Sequence, residues 1–149
     1  MVAFRSAGAD VATAKRFLEW STGQGLNLRW THGDEKGHVQ GTLSFAGRTE
    51  RYTPVRLRSG GVLVLRFDWI ERRPATADGK LLAEFQSALA AVPLRRFEGD
   101  PDGHPRFPIG ASADSATWKG FTGALGFLVR GIRAWYAERG IEAVRVNSD

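Results

Sequence analysis

The sequence contains no cysteine. Disulfides, thiolate zinc sites and cysteine nucleophiles are therefore excluded. Long hydrophobic runs are also missing. The longest near the C-terminus, Phe121 to Val129, is interrupted by Thr122, Gly123 and Gly126 and is far too short to span a bilayer. After Met1 come Val2, Ala3, Phe4 and Arg5 and then polar and charged residues, which lacks the apolar segment of a secretory signal. A cytoplasmic protein with no membrane partner is the expectation. Catalytic signatures are absent as well: there is no Walker loop, no G-x-S-x-G elbow, no H-E-x-x-H pair and no dinucleotide-binding fingerprint. Lysine is scarce, whereas arginine, alanine and glycine are plentiful. The formal charge is +5 and the pI about 10.2. Such a balance permits binding to nucleic acid or to an acidic protein surface. A genome that favours arginine codons would produce it too.

What is present is enough apolar material, 42 % of 149 residues, for a real core. The chain is organised around Gly60 to Ile70, two turn glycines followed by an unbroken β-forming run. Leu63, Leu65, Phe67 and Trp69 fall on one strand face, and Val62, Val64, Arg66, Asp68 and Ile70 on the other. Three strands are expected before it: Leu26 to Trp30, His38 to Phe45, and Thr49 to Arg58 with Thr53, Val55 and Leu57 inward and Tyr52, Arg56 and Arg58 outward. Pro54 removes a ladder donor, which suits an edge or a bulge. The short connections make a four-stranded antiparallel meander.

Three helices complete the pattern. Asp10 can cap the first, whose Val11, Ala14, Phe17, Leu18 and Ser21 share a face. Asp78 or Thr76 can cap the second, which carries Leu82, Phe85, Leu89 and Val92. Between Leu94 and Ile109, three prolines favour an edge ribbon or loop over a central strand pair. Asp114 or Ser115 can cap the third helix, reaching about Arg139 and stopped by Gly140. It carries Trp118, Phe121, Leu125, Leu128, Ile132 and Trp135, with Val129 and Tyr136 widening the stripe. The fold class is α+β in one domain over residues 1–149. It is an antiparallel meander sheet flanked by helices, in the order α-ββββ-α-(β-hairpin)-α.

Candidate metal and acid–base groups are better explained as turns and surface pairs. His32 and His38 flank a turn holding Asp34 and Glu35, and nothing in the spacing fixes a metal geometry. Asp100, Asp102 and Gly103 resemble the start of a calcium loop, but its twelfth position is Ala111, where an acid is needed. Arg66 and Asp68 share a strand face, as a surface ion pair would. No metal and no cofactor is expected.

Two surfaces carry more information. The second sheet face presents Asn27, Arg29, His38, Gln40, Thr42, Tyr52, Arg56, Arg58 and Arg66. It is polar and basic, with Tyr52 available for stacking. On the third helix, Gly120, Ala124, Phe127, Gly131 and Ala134 line up opposite the apolar stripe. Glycine inside a helix costs about 1 kcal/mol relative to alanine, so these positions need a packing reason. A homodimer contact through Gly120, Ala124, Phe127 and Gly131 is the expectation; burial on both sides within one monomer is the alternative.

From the helix ending at Val92–Pro93, through Leu94–Phe97, the Asp100–Gly103 turn and Arg106–Ile109, to the long helix from Ser115, the order of elements resembles the YbjN family. That family is similar in fold to type III secretion chaperones. The resemblance covers most of the chain and rests on element order. It implies a small, non-enzymatic, dimeric protein that binds a client polypeptide. Secretion chaperones of this shape are generally acidic, and this chain is basic, so a client with an acidic segment fits better, including one on a DNA-binding protein. The leading expectation is a non-catalytic, chaperone-like or adaptor homodimer that recognises a client protein with Arg29, Tyr52, Arg56, Arg58 and Arg66. The alternative is a single-stranded nucleic-acid binder using the same basic face.

Overall fold

The computed structural model describes residues 8–31, 38–58, 61–65, 70–92, 106–109 and 115–145. Helix α1 (Gly8–Gly23) leads into a meander of β1 (Asn27–Thr31), β2 (His38–Phe45), β3 (Tyr52–Arg58) and β4 (Val62–Leu65). Helix α2 (Lys80–Ala90), strand β5 (Arg106–Pro108), helix α3 (Ser115–Ala137) and strand β6 (Ala143–Val144) follow. The protein is α+β. The sheet runs β1-β2-β3-β4-β5, all neighbours antiparallel, and β6 pairs with the end of β2. Phe67, Trp69 and Arg66, expected to prolong β4, lie outside the described residues. So do the Leu94–Phe97 strand, the Asp100–Gly103 turn, the His32–Lys36 turn and Asp114.

The helices form where the 3.6-residue period is strongest. In α3, Trp118, Phe121, Leu125, Leu128, Val129, Ile132 and Tyr136 are all buried, as the stripe requires. Gly140, in the left-handed region at φ 72°, ends this helix: Ile141 N–H donates back to the Tyr136 carbonyl at 2.9 Å, a Schellman closure. The first turn of α2 is set up by Asp78, whose Oδ1 accepts from Lys80 N–H at 3.0 Å, and Leu82, Phe85 and Leu89 point inward. In α1, Ala14, Phe17 and Leu18 face the core.

All three helices meet one face of the sheet in a single apolar core with Leu26, Val39, Leu43, Val55, Leu57, Leu63 and Leu65. Phe17 stacks on Phe121 at 5.9 Å between centroids, tying α1 to α3. Truncating a fully buried ring such as Phe121 to alanine costs about 3–5 kcal/mol. Thr76 Oγ1 donates to the carbonyl of Ile70, which is buried in the core, and α2 packs on α3.

The third strand departs from expectation. Gly41 pairs with Val55, but Leu43 pairs with Tyr52, so β3 holds one residue more than β2 at this point. The extra residue is a β-bulge at Thr53–Pro54, and Pro54 needs no ladder donor there. A bulge inverts side-chain alternation. Tyr52, expected outward, therefore joins Val55 and Leu57 in the core and is 0 % exposed. Thr53, expected inward, shares the polar face with Thr42, Oγ1 to Oγ1 at 3.0 Å.

Candidate functional site on the polar face of the sheet

The backbone register aligns one residue from each of five strands in a row: Arg29 opposite Gln40, Gln40 opposite Arg56, Arg56 opposite Val64, and Val64 opposite Arg106. A neighbouring row begins with Thr31, His38 and Arg58. Alternation on an antiparallel sheet puts Arg29, Gln40, Arg56 and Val64, and likewise His38 and Arg58, on one face, about 5 Å from their cross-strand neighbours. Arg29 is exposed, whereas Gln40, His38, Arg56 and Arg58 are half-buried and Val64 is fully buried. No carboxylate stands at the described positions of these rows. The stems of half-buried arginines cover apolar ground while their heads stay polar. The face therefore offers the positive charge of Arg29 and Arg58 beside the half-buried Val62, suited to an anionic group attached to an apolar body.

Of the residues expected to bind a partner, Arg29, Arg56 and Arg58 are brought together by the register. Arg66 lies outside the described residues. Tyr52 is removed from this surface by the bulge, so among the described residues of the face His38 is left as the ring for base stacking.

The stripe expected to join two copies has a partner within the chain. A side-chain carbon at Gly131 would stand 2.5 Å from Leu81 Cδ1, and one at Gly120 would stand 3.1 Å from Val92 Cγ2. Ala124 is buried. These small residues let Leu81 of α2 and Val92 lie close against α3 at Gly131 and Gly120, while Gly120 itself stays exposed. Phe127, on the same stripe, is 37 % exposed.

Tyr52 instead belongs to a buried chain of polar groups that the sequence reading missed. Tyr136 donates its phenolic proton to Glu50 Oε2 at 2.7 Å, and Arg48 Nε donates to the same oxygen at 2.8 Å. Because the Tyr136 proton is committed to Glu50, Tyr52 donates to Tyr136 Oη at 2.7 Å, and Ala75 N–H in turn donates to Tyr52 Oη at 3.0 Å. Phe45 stacks on the Tyr136 ring at 3.8 Å. The hydrogen bond from Tyr136 holds the Glu50 carboxyl below the usual glutamate range against the opposing effect of burial, and Arg48 adds to the lowering. Burial first, then the bonds to Tyr52 and Glu50, push the Tyr136 phenol far above the ordinary tyrosine value. A phenol so stabilised resists giving up its proton, and the chain acts as a structural clasp between the Glu50 loop, β3 and α3. The only trace of it in the sequence is Pro54, whose bulge turns Tyr52 toward α3.

Among the described residues, no group of three or more His, Asp or Glu side chains could hold a metal ion, and the His32 turn falls outside them. No described helix is long and apolar enough to cross a membrane. No family model, no curated protein and no solved structure matches the chain.

Proposed function

We propose that the chain is a non-catalytic protein-binding module, of chaperone or adaptor type, that takes an acidic client segment on the basic face of its sheet. The observation that carries this reading is the cross-strand row of Arg29, Gln40, Arg56 and Val64, in which arginines alternate with uncharged and apolar neighbours. Anionic groups of the client steer to the arginines, and its apolar side chains settle beside the half-buried Val62. A client protein is favoured over single-stranded nucleic acid because Tyr52 points into the core, and stacking on aromatic rings supplies about 1–3 kcal/mol per base in nucleic-acid binders. A cytoplasmic setting belongs to this reading. A homodimer belongs to it through Phe127, the exposed large apolar residue of that stripe.

The test is fluorescence anisotropy of a labelled peptide that mixes glutamates with leucines, measured against salt. Arg29→Glu/Arg58→Glu is expected to weaken binding by about tenfold or more with the circular dichroism spectrum unchanged. If a single-stranded oligonucleotide binds instead at physiological salt, with a steep salt slope that the same variant abolishes, the protein-binding reading fails.

A further inference from the structure

On the helical side of the sheet, the last turns of α3 and the returning segment Gly140–Ala143 enclose an open groove of about 670 Å³. Its walls are Arg130 and Arg133 on one side and Ile141 and Glu142 on the other, and Ala134, Ala137, Gly140 and Ala143 form the remainder. The four last residues are small, so an extended chain meets no bulky side chain along the bottom. The two arginines leave α3 one turn apart, about 5–6 Å between Cβ atoms. Alternate residues of an extended peptide lie on one side at about 6.6 Å, twice the rise per residue. Carboxylates two residues apart in such a peptide therefore face the one wall that carries both arginines.

The arginines are also held in place before any ligand arrives. Arg133 Nη1 donates to the Gln24 carbonyl at 3.1 Å. That uses one of the five N–H donors of a guanidinium and leaves others for a carboxylate. Arg130 folds back over Gly126: a side-chain carbon at that glycine would stand 3.0 Å from Arg130 Nη1, with Trp20 also beside the site. Gly126 thus makes the seat in which the Arg130 guanidinium rests. Side chains fixed in advance lose less entropy on binding.

We infer that this groove binds an extended acidic peptide segment with carboxylates at alternate positions, at a site separate from the basic sheet face. Acidic peptide is favoured over nucleic acid by the lining itself. No lining residue has an aromatic ring on which a base could stack, and the two arginines outnumber the one wall carboxylate, Glu142. Ile141 offers apolar contact to the residue between the two acids.

The experiment is a titration of the isotopically labelled chain, followed by amide NMR, with the peptide Thr-Glu-Val-Glu-Thr. A same-composition peptide with adjacent glutamates, Thr-Val-Glu-Glu-Thr, and a single-stranded oligonucleotide serve as comparisons. Saturable shifts at Ala134, Ala137 and Gly140–Ala143 are expected, tighter for the alternating peptide. Arg130→Glu should weaken binding by about tenfold or more. Ala137→Leu, which keeps the charge and fills the groove, should weaken it too; this second variant covers the case in which Arg130→Glu disturbs the fold. The inference is overturned if shifts are confined to Arg29, Gln40 and Arg58, if no shift saturates, if the two peptides bind alike, or if the oligonucleotide takes the groove. The first of these outcomes leaves the sheet-face reading standing, so the two proposals fail separately.

Discussion

The hydroxyl of Tyr52 lies 2.7 Å from that of Tyr136, joining the bulged strand β3 to the last turns of α3 across the core. Both side chains are fully buried, so neither hydroxyl can exchange its partner for bulk water. A buried polar group stripped of its partner costs about 1–3 kcal/mol. Tyr52→Phe leaves the Ala75 N–H without its acceptor, and Tyr136→Phe leaves the Tyr52 hydroxyl without one. Each variant is expected to lose stability in that range, measured by urea unfolding. The double variant should lose less than the sum, by about 0.5 kcal/mol or more, because both singles break the same bond. Strict additivity would show that the bond between the two hydroxyls contributes nothing.

The same clasp makes stability depend on pH at both ends. The Glu50 carboxyl is lowered in the folded chain, chiefly by the hydrogen bond from Tyr136. In the acid range the unfolded chain therefore binds the extra proton first. Stability is expected to fall as pH drops through the usual glutamate range, and the Glu50 contribution is lost once the folded carboxyl is itself protonated. Tyr136 behaves in the opposite sense. Its folded value is raised by burial, so above about pH 10 the unfolded phenol ionises while the folded one does not, and stability falls as pH climbs. Glu50→Gln should flatten the acid limb of a stability–pH curve, and Tyr136→Phe the alkaline limb. Limbs unchanged in those variants would assign the pH dependence to other groups.

Two glycines of α3 should respond oppositely to alanine. At Gly131 the new methyl would meet both Leu81 methyls, at 2.5 and 3.0 Å, and Cγ at 3.3 Å. Clearing all three takes a rotation of Leu81 about Cα–Cβ, out of its packing against the core, or a shift of α2, and that strain is expected to outweigh the gain of about 1 kcal/mol in helix propensity. At Gly123 no atom lies within 4 Å, so the propensity gain stands alone. Gly131→Ala is expected to lower the melting temperature and Gly123→Ala to raise it. Adding Leu81→Ala to Gly131→Ala should recover part of the loss. Stabilisation by Gly131→Ala alone would contradict the close packing of α2 on α3.

These positions also show what a sequence can carry. Phe121, Leu125, Leu128 and Ile132 announce a helix and its buried face because a 3.6-residue period is local and survives any tertiary arrangement. The small residues Gly120, Ala124 and Gly131 announce that another helix approaches, but not whose. The answer, α2 of the same chain, depends on the path taken after Ile70. Tyr52 was misplaced because alternation assigns a face only while register holds, and one inserted residue reverses it. Pro54 marked the place of the insertion without stating its consequence. On the polar face, Arg29, Arg56 and Arg58 were readable from alternation since they lie on the regular side of the bulge. The groove beside Arg130 and Arg133 was not readable, because periodicity assigns the face of α3 but not the path that Gly140–Ala143 takes back beside it.

The end of α1 supplies the last prediction. Its final turn holds no basic residue, yet the last carbonyls of a helix are unpaired and carry partial negative charge. Arg145 donates to the Thr22 carbonyl at 2.9 Å and Arg133 to Gln24 at 3.1 Å, so arginines from the other end of the chain close this helix. Asn27 Nδ2 donates to the Val144 carbonyl at 2.9 Å and holds the segment bearing Arg145 beside the start of β1. Because both arginines are exposed, their effect is screened by salt. Arg145→Ala should cost about 0.3–1 kcal/mol at low salt and less at high salt. Amide hydrogen exchange should accelerate at Gln24, Gly25 and Leu26, whose N–H groups bond back into this turn. The core of α3 should keep its protection. A loss spread evenly over the whole chain would mean that the arginine supports global stability and does not act as a local closure of α1.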